Sequence, residues 1–222
     1  MSDLCYYCGC VATTVEHAPP RAIFPKPKDS PDGRDYRRNL ITVPSCEVHN
    51  TEKSKEDEYL RFVLVMSLPS NEVAMSQLLT NIRRSIERSP KLLERLLVKT
   101  QNVVVHDSVT DTWHETIAIQ PEEHRLLSMF THIAKALYFH EKSAVWPGRV
   151  SVVTEFLISL HDIAQNDLQR GLELLLNARL KDLPMKGENP DVFGYQFVEE
   201  ADGAFIRMHF YGSTRVSAAY IA

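Results

Sequence analysis

The sequence predicts an α+β chain in two parts: a small ββα module over residues 1–68 and a mixed body of helices and antiparallel strands over residues 69–222. Three observations carry that reading. All four cysteines (Cys5, Cys8, Cys10, Cys46) fall within the first 46 residues. Pro19, Pro20, Pro25, Pro27 and Pro31 exclude long helices from the same stretch. Beyond it the apolar residues recur at helical spacing, and at the C-terminal end they alternate as in strands.

Taken in order, Thr13–His17 and Asn39–Val43 read as short strands flanking a Pro/Asp/Gly loop. Pro44-Ser45 offers a helix start with Ser45 as N-cap. That helix continues through Tyr59, Leu60, Phe62, Val63, Val65 and Met66 until Pro69 stops it. Ser70–Ile86 carries Val73, Met75, Leu78, Leu79, Ile82 and Ile86 at helical spacing, and Ser89-Pro90 opens a short helix through Leu97. Val103–His106 and Thr112–Ile119 predict a hairpin about Asp107–Asp111. Pro121 opens a helix bearing Leu126, Leu127, Phe130, Ile133, Ala134, Leu137 and Tyr138, and a further helix spans Ile163–Leu180. Gly194–Val198, Phe205–Tyr211 and Arg215–Ile221 alternate as antiparallel strands, joined at Ala201-Asp202-Gly203 and Tyr211-Gly212-Ser213.

The composition is that of a soluble globular protein, 44% hydrophobic and 24% charged over 222 residues. No basic-then-apolar leader opens the chain, and no apolar run approaches the length of a bilayer span, so a cytoplasmic protein away from membranes is expected. In that reducing compartment clustered cysteines suggest metal, not disulfides. The net charge of −4 and pI near 6.1 count against a strong nonspecific nucleic-acid binder. A local basic path along Arg34, Arg37 and Arg38 stays open.

Cys5-x2-Cys8 and Cys46-x2-His49 each place two soft ligands on one tight turn, the arrangement that tetrahedral zinc takes. Four protein ligands leave no open position, so this zinc is structural, and it would supply much of the module's folding free energy. Cys10 could replace Cys8, but the two-residue spacing favours Cys8.

Between the zinc pairs lies Glu16-His17. A carboxylate offers a hard ligand for magnesium or a similar ion, and the histidine is a base active near neutrality. Neighbours on a strand point to opposite faces, so both serve one site only where the strand bends or ends, and Pro19-Pro20 supplies such a break. Asn50, directly after His49, is the second candidate ligand for the hard ion through its amide oxygen.

These segments together resemble the HNH endonucleases, the ββα-metal nucleases, in their cysteine-rich form. The family's acidic-His-x-x-Pro, Asn-Leu and Cys-x2-His-Asn segments, with a Lys shortly after, correspond to Glu16-His17-Ala18-Pro19-Pro20, Asn39-Leu40-Ile41, Cys46-Glu47-Val48-His49-Asn50 and Lys53. The resemblance covers about a quarter of the chain. It implies that Glu16 and Asn50 hold a catalytic divalent ion such as Mg2+, that His17 activates water, and that Asn39 braces the loop orienting His17. It implies hydrolysis of DNA phosphodiester bonds, with Lys53, Arg37 and Arg38 on backbone phosphates. Cleavage of RNA, or a zinc-stabilised module that binds nucleic acid without cutting, are the alternatives. Two departures stand out: the acid is Glu in place of the commoner Asp, and the family's last residue is Asn50 because His49 is assigned to zinc.

Among the remaining features, Asp57-Glu58 reads as a solvated helix face and the His124, His132, His140 stripe as core or surface. Leu172, Leu174, Leu175, Leu176 and Leu180 read as core or as a subunit contact, compatible with a homodimer. Trp113 and Trp146 read as buried.

Overall fold

The computed structural model describes residues 4–51, 54–68, 70–88, 99–107 and 110–222. The expected helix from Ser89 to Leu97, the expected stop at Pro69 and Lys53 lie outside those residues.

The N-terminal part follows the predicted ββα order. Strands β1 (Thr14–His17) and β2 (Thr42–Ser45) pair antiparallel, with Glu16 opposite Val43 and His17 opposite Thr42. Helix α1 (Glu47–Thr51) follows at once, and α2 (Ser54–Met66) comes next. Two expectations are corrected here. The second strand begins at Thr42, not Asn39, because Asn39 sits at a left-handed φ of 51° that interrupts an extended run. Ser45 is not the N-cap: it is the buried last residue of β2, and Cys46 stands immediately before the helix. Pro44 is tolerated because it lies in a two-stranded sheet, where its missing N–H interrupts no long ladder.

Helix α3 (Glu72–Gln77) runs through a wider π turn (Leu78–Ile82) into α4 (Arg83–Arg88). The Asn71 side chain caps α3 by accepting from Ala74 N at 3.0 Å. Strands β3 (Thr100–Asp107) and β4 (Thr112–Ile119) form the expected hairpin, and Trp113 on it is 69% exposed, not buried. Helix α5 (Glu123–Lys142) follows. Then come β5 (Arg149–Thr154), α6 (Ile163–Leu180), β6 (Lys186–Asn189), β7 (Phe193–Glu200), β8 (Gly203–Phe210) and β9 (Thr214–Ile221). These five strands form one antiparallel sheet in the order β5-β9-β8-β7-β6.

Strand alternation gives this sheet two different faces. Ile206, Met208 and Phe210 of β8 and Val216, Ala218 and Tyr220 of β9 enter one apolar core with Leu126, Phe130, Ile133, Ala134 and Leu137 of α5. The Tyr220 hydroxyl donates to the Ala134 carbonyl at 2.5 Å. The same core takes in Ile23, Phe24, Tyr59, Leu60, Phe62 and Leu64, so packing runs across the position where the sequence suggests a division. Tyr211, on the β8–β9 loop, reinforces this: its buried hydroxyl donates to Ile23 O at 2.6 Å and accepts from Gln77 Nε2 at 2.7 Å.

The other face of the sheet is polar. Arg207 is 2% exposed and forms a buried ion pair with Glu155, with Asn177 of α6 accepting from it at 2.6 Å. A buried charge is tolerated only when paired in this way. Nearby, burial pushes the His209 imidazole down to about 4, the Arg207 and Arg215 charges adding to the effect while Glu155 opposes it. His209 is therefore neutral in the fold but binds a proton when unfolded below its ordinary value near ~6.5. Its contribution to stability is present above that value and is lost as pH falls toward about 4. The loss is expected to be on the order of 2 kcal/mol, after allowance for partial exposure. Urea midpoints measured near neutrality and near ~4.5 should show it, and His209→Gln should flatten the difference.

Candidate metal centre

The N-terminal turn is built by backbone hydrogen bonds before any side chain takes part. Cys5 N donates to Cys10 O at 2.7 Å, Gly9 N returns to Cys5 O at 2.9 Å, and Tyr6 N donates to Pro44 O at 2.9 Å. Gly9 adopts φ 72°, a conformation that glycine takes without strain. The turn therefore lies against β2, directly opposite the start of α1, where His49 N donates to Cys46 O at 3.2 Å.

Four side chains converge between these two turns. Cys5, Cys8, Cys46 and His49 place their donor atoms within 4.8 Å of one another. Cys5 Sγ lies 3.8 Å from His49 Nδ1, Cys8 Sγ lies 3.9 Å from Cys46 Sγ, and Cys46 Sγ lies 3.2 Å from His49 Nδ1. A tetrahedron with metal–sulfur bonds near 2.3 Å and metal–nitrogen bonds near 2.0 Å has edges of about 3.5–3.8 Å. The donor set and its spacing thus fit a metal such as zinc. Cys10 is exposed and stands outside the group.

Helix α5 supports this centre from the far part of the chain. Cys5, Tyr6, Ala18 and Val43 pack with Ala136 and Phe139 in a second apolar cluster. Tyr7 lies with its ring centroid 4.4 Å from His49 and 4.1 Å from His132, and Lys135 Nζ sits 4.3 Å from the Tyr7 centroid. Nothing in the motif foretells these partners; the eight-residue spacing of His124 and His132 is the only signal, since it repeats a helix face.

The residues expected to hold the hard ion are distributed about β1. Glu16 faces a cleft of about 560 Å³ between the first two helices and α5, which it shares with His49, Glu56, Asp57, His124 and His132. Its carboxylate accepts from Ser45 Oγ at 3.4 Å and from the Tyr6 hydroxyl. Tyr6 also lies 3.3 Å from His132 Nδ1, so a polar chain joins α5 to Glu16. Burial, and next the Glu16 charge, hold the Tyr6 phenol well above its ordinary value, so it stays protonated and donating.

Asn50 is drawn onto the same strand, its Nδ2 donating to Val15 O at 3.4 Å, and its amide oxygen is the atom with which it could serve a cation. His17 falls on the opposite side of β1 from Glu16, as alternation requires, and it does not line the Glu16 cleft. Its surroundings are basic: burial, then the charges of Arg21 and Arg37, depress its imidazole below the ordinary value, with Glu16 opposing.

Arg21 and Arg37 belong to a groove of about 490 Å³ with Lys26, Lys28 and Asp35. Arg37 is fixed there by donating from Nε to Phe24 O at 2.9 Å. Of these, the motif singles out only Arg37. Arg38 is exposed, and its carbonyl accepts from Asn189 Nδ2 at 3.0 Å. Asn39 is exposed and makes no hydrogen bond to His17 among the described residues.

No family model, no curated protein and no solved structure matches the chain. No helix among the described residues is long and apolar enough to cross a membrane.

Proposed function

We propose that the chain is a metal-dependent endonuclease of the HNH type that hydrolyses DNA phosphodiester bonds, with zinc in the Cys5, Cys8, Cys46, His49 group holding its scaffold together. One observation carries the reading. The Cys3His group ties the N-terminal turn to the junction of β2 and α1, which sets Asn50 against the strand that bears Glu16 and His17. A carboxylate and an amide able to hold a divalent ion, with an imidazole able to take a proton from water, are groups that support phosphodiester hydrolysis, and the cross-link fixes the strand and helix that carry them.

Glu16 and the Asn50 amide oxygen would hold a divalent ion such as Mg2+, which when bound neutralises charge on the phosphate and on the leaving 3′ oxygen. His17 takes a proton from water on an imidazole nitrogen, and its burial, followed by the Arg21 and Arg37 charges beside it, favours the neutral, accepting form. The basic groove offers a path for the substrate's backbone despite the acidic pI, because phosphate binding depends on local charge.

Replacing two exposed members of that groove, Arg21→Gln with Lys28→Gln, is expected to weaken binding of duplex DNA about equally for all sequences. The slope of log K against log salt should flatten by roughly 0.9 for each phosphate that the variant no longer neutralises. Fluorescence anisotropy over a salt series reads this directly, and an unchanged slope would remove the groove from the interface.

A second reading, binding without cleavage, draws on the opposite orientation of Glu16 and His17 about β1. Magnesium-dependent nicking of plasmid, repeated with an RNA substrate, separates cleavage of DNA, cleavage of RNA and binding alone.

A further inference from the structure

We propose that the exposed face of α6 is a homodimer interface, in which two copies of the helix pack antiparallel about a two-fold axis near Gly171. Helix α6 rests on its own chain through one side only. Gln169 Nε2 donates to Leu157 O at 3.0 Å, while Leu176 and Leu180 are buried. A helix with a solvent-facing side ordinarily carries polar residues there. This one carries Ala164, Leu168, Gly171, Leu175 and Ala178, spaced alternately four and three apart, which is the seam along which helices pair.

The seam is open. Leu168 on it is 77% exposed and Leu175 70%, and about a quarter turn round the helix Ile163 is 75% and Leu174 71% exposed. These four side chains present on the order of 500 Å² of apolar surface, the size of a functional patch. Doubled across a two-fold axis, that reaches the roughly 1,000 Å² that a specific interface buries. At the midpoint, a Cβ on Gly171 would meet nothing within 4 Å, so a second backbone can approach closely there.

Charge and the helix dipole bear on the occupant. Asp162 leaves the N-terminal end of α6 acidic, since Asp167 is already paired with Arg170 at 3.5 Å, while at the C-terminal end Arg179 pairs with Glu200 and Lys181 lies 4.0 Å from Asp182, so that end is balanced. Antiparallel pairing keeps the two acidic ends apart and opposes the two helix dipoles; parallel pairing sets like beside like. A patch that complements itself under a two-fold rotation is the mark of an isologous contact between identical chains. A lipid surface would call for lysine and arginine flanking the apolar stripe along its length, and the acidic N-terminal end does not supply them.

Sedimentation velocity of the full chain at about 50 µM, a concentration at which micromolar dimers are populated, is expected to give twice the 25.4 kDa mass of one chain. Leu168→Glu with Leu175→Glu should return it to monomer mass and raise the dissociation constant by at least about 100-fold. Both side chains face solvent in the single chain, so the melting temperature of the dilute variant should match that of dilute wild type.

Orientation is read by cross-linking in a Cys10→Ser background with zinc added. Ala164→Cys chains mixed with Ala178→Cys chains should join through a short bismaleimide, and Ala164→Cys chains alone should not. The proposal is overturned by a wild type that stays monomeric over the whole concentration range, by a double variant that still dimerises, or by self-linking of the Ala164→Cys chain.

Discussion

His17→Ala is expected to lower metal-dependent nicking of supercoiled plasmid by about 10²- to 10⁴-fold, the usual contribution of a positioned general base. The fold and the zinc content should not change. His17 lies outside the Cys3His group, only part-buried, and it belongs to neither apolar cluster. The side chain therefore has little structural work whose loss could imitate a catalytic defect. Its neighbours Arg21 and Arg37 lie on the groove side of β1 while Glu16 lies on the cleft side. Productive cleavage requires a phosphate to reach both sides at the end of the strand, where Ala18-Pro19-Pro20 turns the chain away. Metal content by atomic emission and the far-ultraviolet spectrum provide the controls. Nicking by the variant at the wild-type rate would remove His17 from the chemistry, whereas a wild type that binds plasmid without nicking it would leave binding alone as the better account.

What is legible in the sequence is local, and what is not is tertiary. The Cys5–Cys8 and Cys46–His49 pairs can be read because zinc ligation imposes a two-residue spacing on each turn, and the four donors do converge. Helix α6 is bounded at Ile163–Leu180 because Asp162 caps it, accepting from Gln165 N at 2.9 Å, and the apolar period is regular. Strand β5 escapes the sequence reading although Val150 and Val152 alternate; strand β6, Lys-Gly-Glu-Asn, carries no apolar residue to find. The basic groove is hidden because two short turns, Arg21–Ile23 and Pro27–Asp29, bring together charges that are scattered along the chain. The Tyr6–His132 contact joins residues 126 positions apart, and no local pattern encodes it. The opposite faces of Glu16 and His17 follow from strand alternation alone.

Loss of the metal centre is the change expected to cost most. Among the described residues, the second apolar cluster takes Cys5, Tyr6, Ala18 and Val43 from the N-terminal part, with Tyr7, Ile41 and Cys46 partly buried beside them, against Ala136 and Phe139 of α5. Ile23, Phe24 and Tyr36 of the intervening loop are anchored in the main core instead. The first turn and the two strands therefore rest on a small cluster, whereas a structural zinc contributes on the order of 10 kcal/mol near neutrality. Cys46→Ser removes a ligand at the α1 junction, and zinc bound per chain should fall to near zero. The midpoint of thermal unfolding should drop by about 10–20 °C, which corresponds to roughly 5 kcal/mol in a chain of this size. The damage should also be local. Amides of Tyr6, Ala18 and Val43 should lose protection from hydrogen exchange, while those of Ile206 and Met208 in the sheet keep theirs, since that core closes on the opposite stripe of α5. Cys10→Ser is the matched control: its thiol is exposed and outside the ligand group, so zinc content and midpoint should equal those of wild type. If Cys10→Ser loses zinc while Cys46→Ser retains it, the ligand assignment is wrong. If neither variant changes zinc content or stability, the four side chains converge without a metal, and the scaffold on which Glu16, His17 and Asn50 depend must be held by packing against α5.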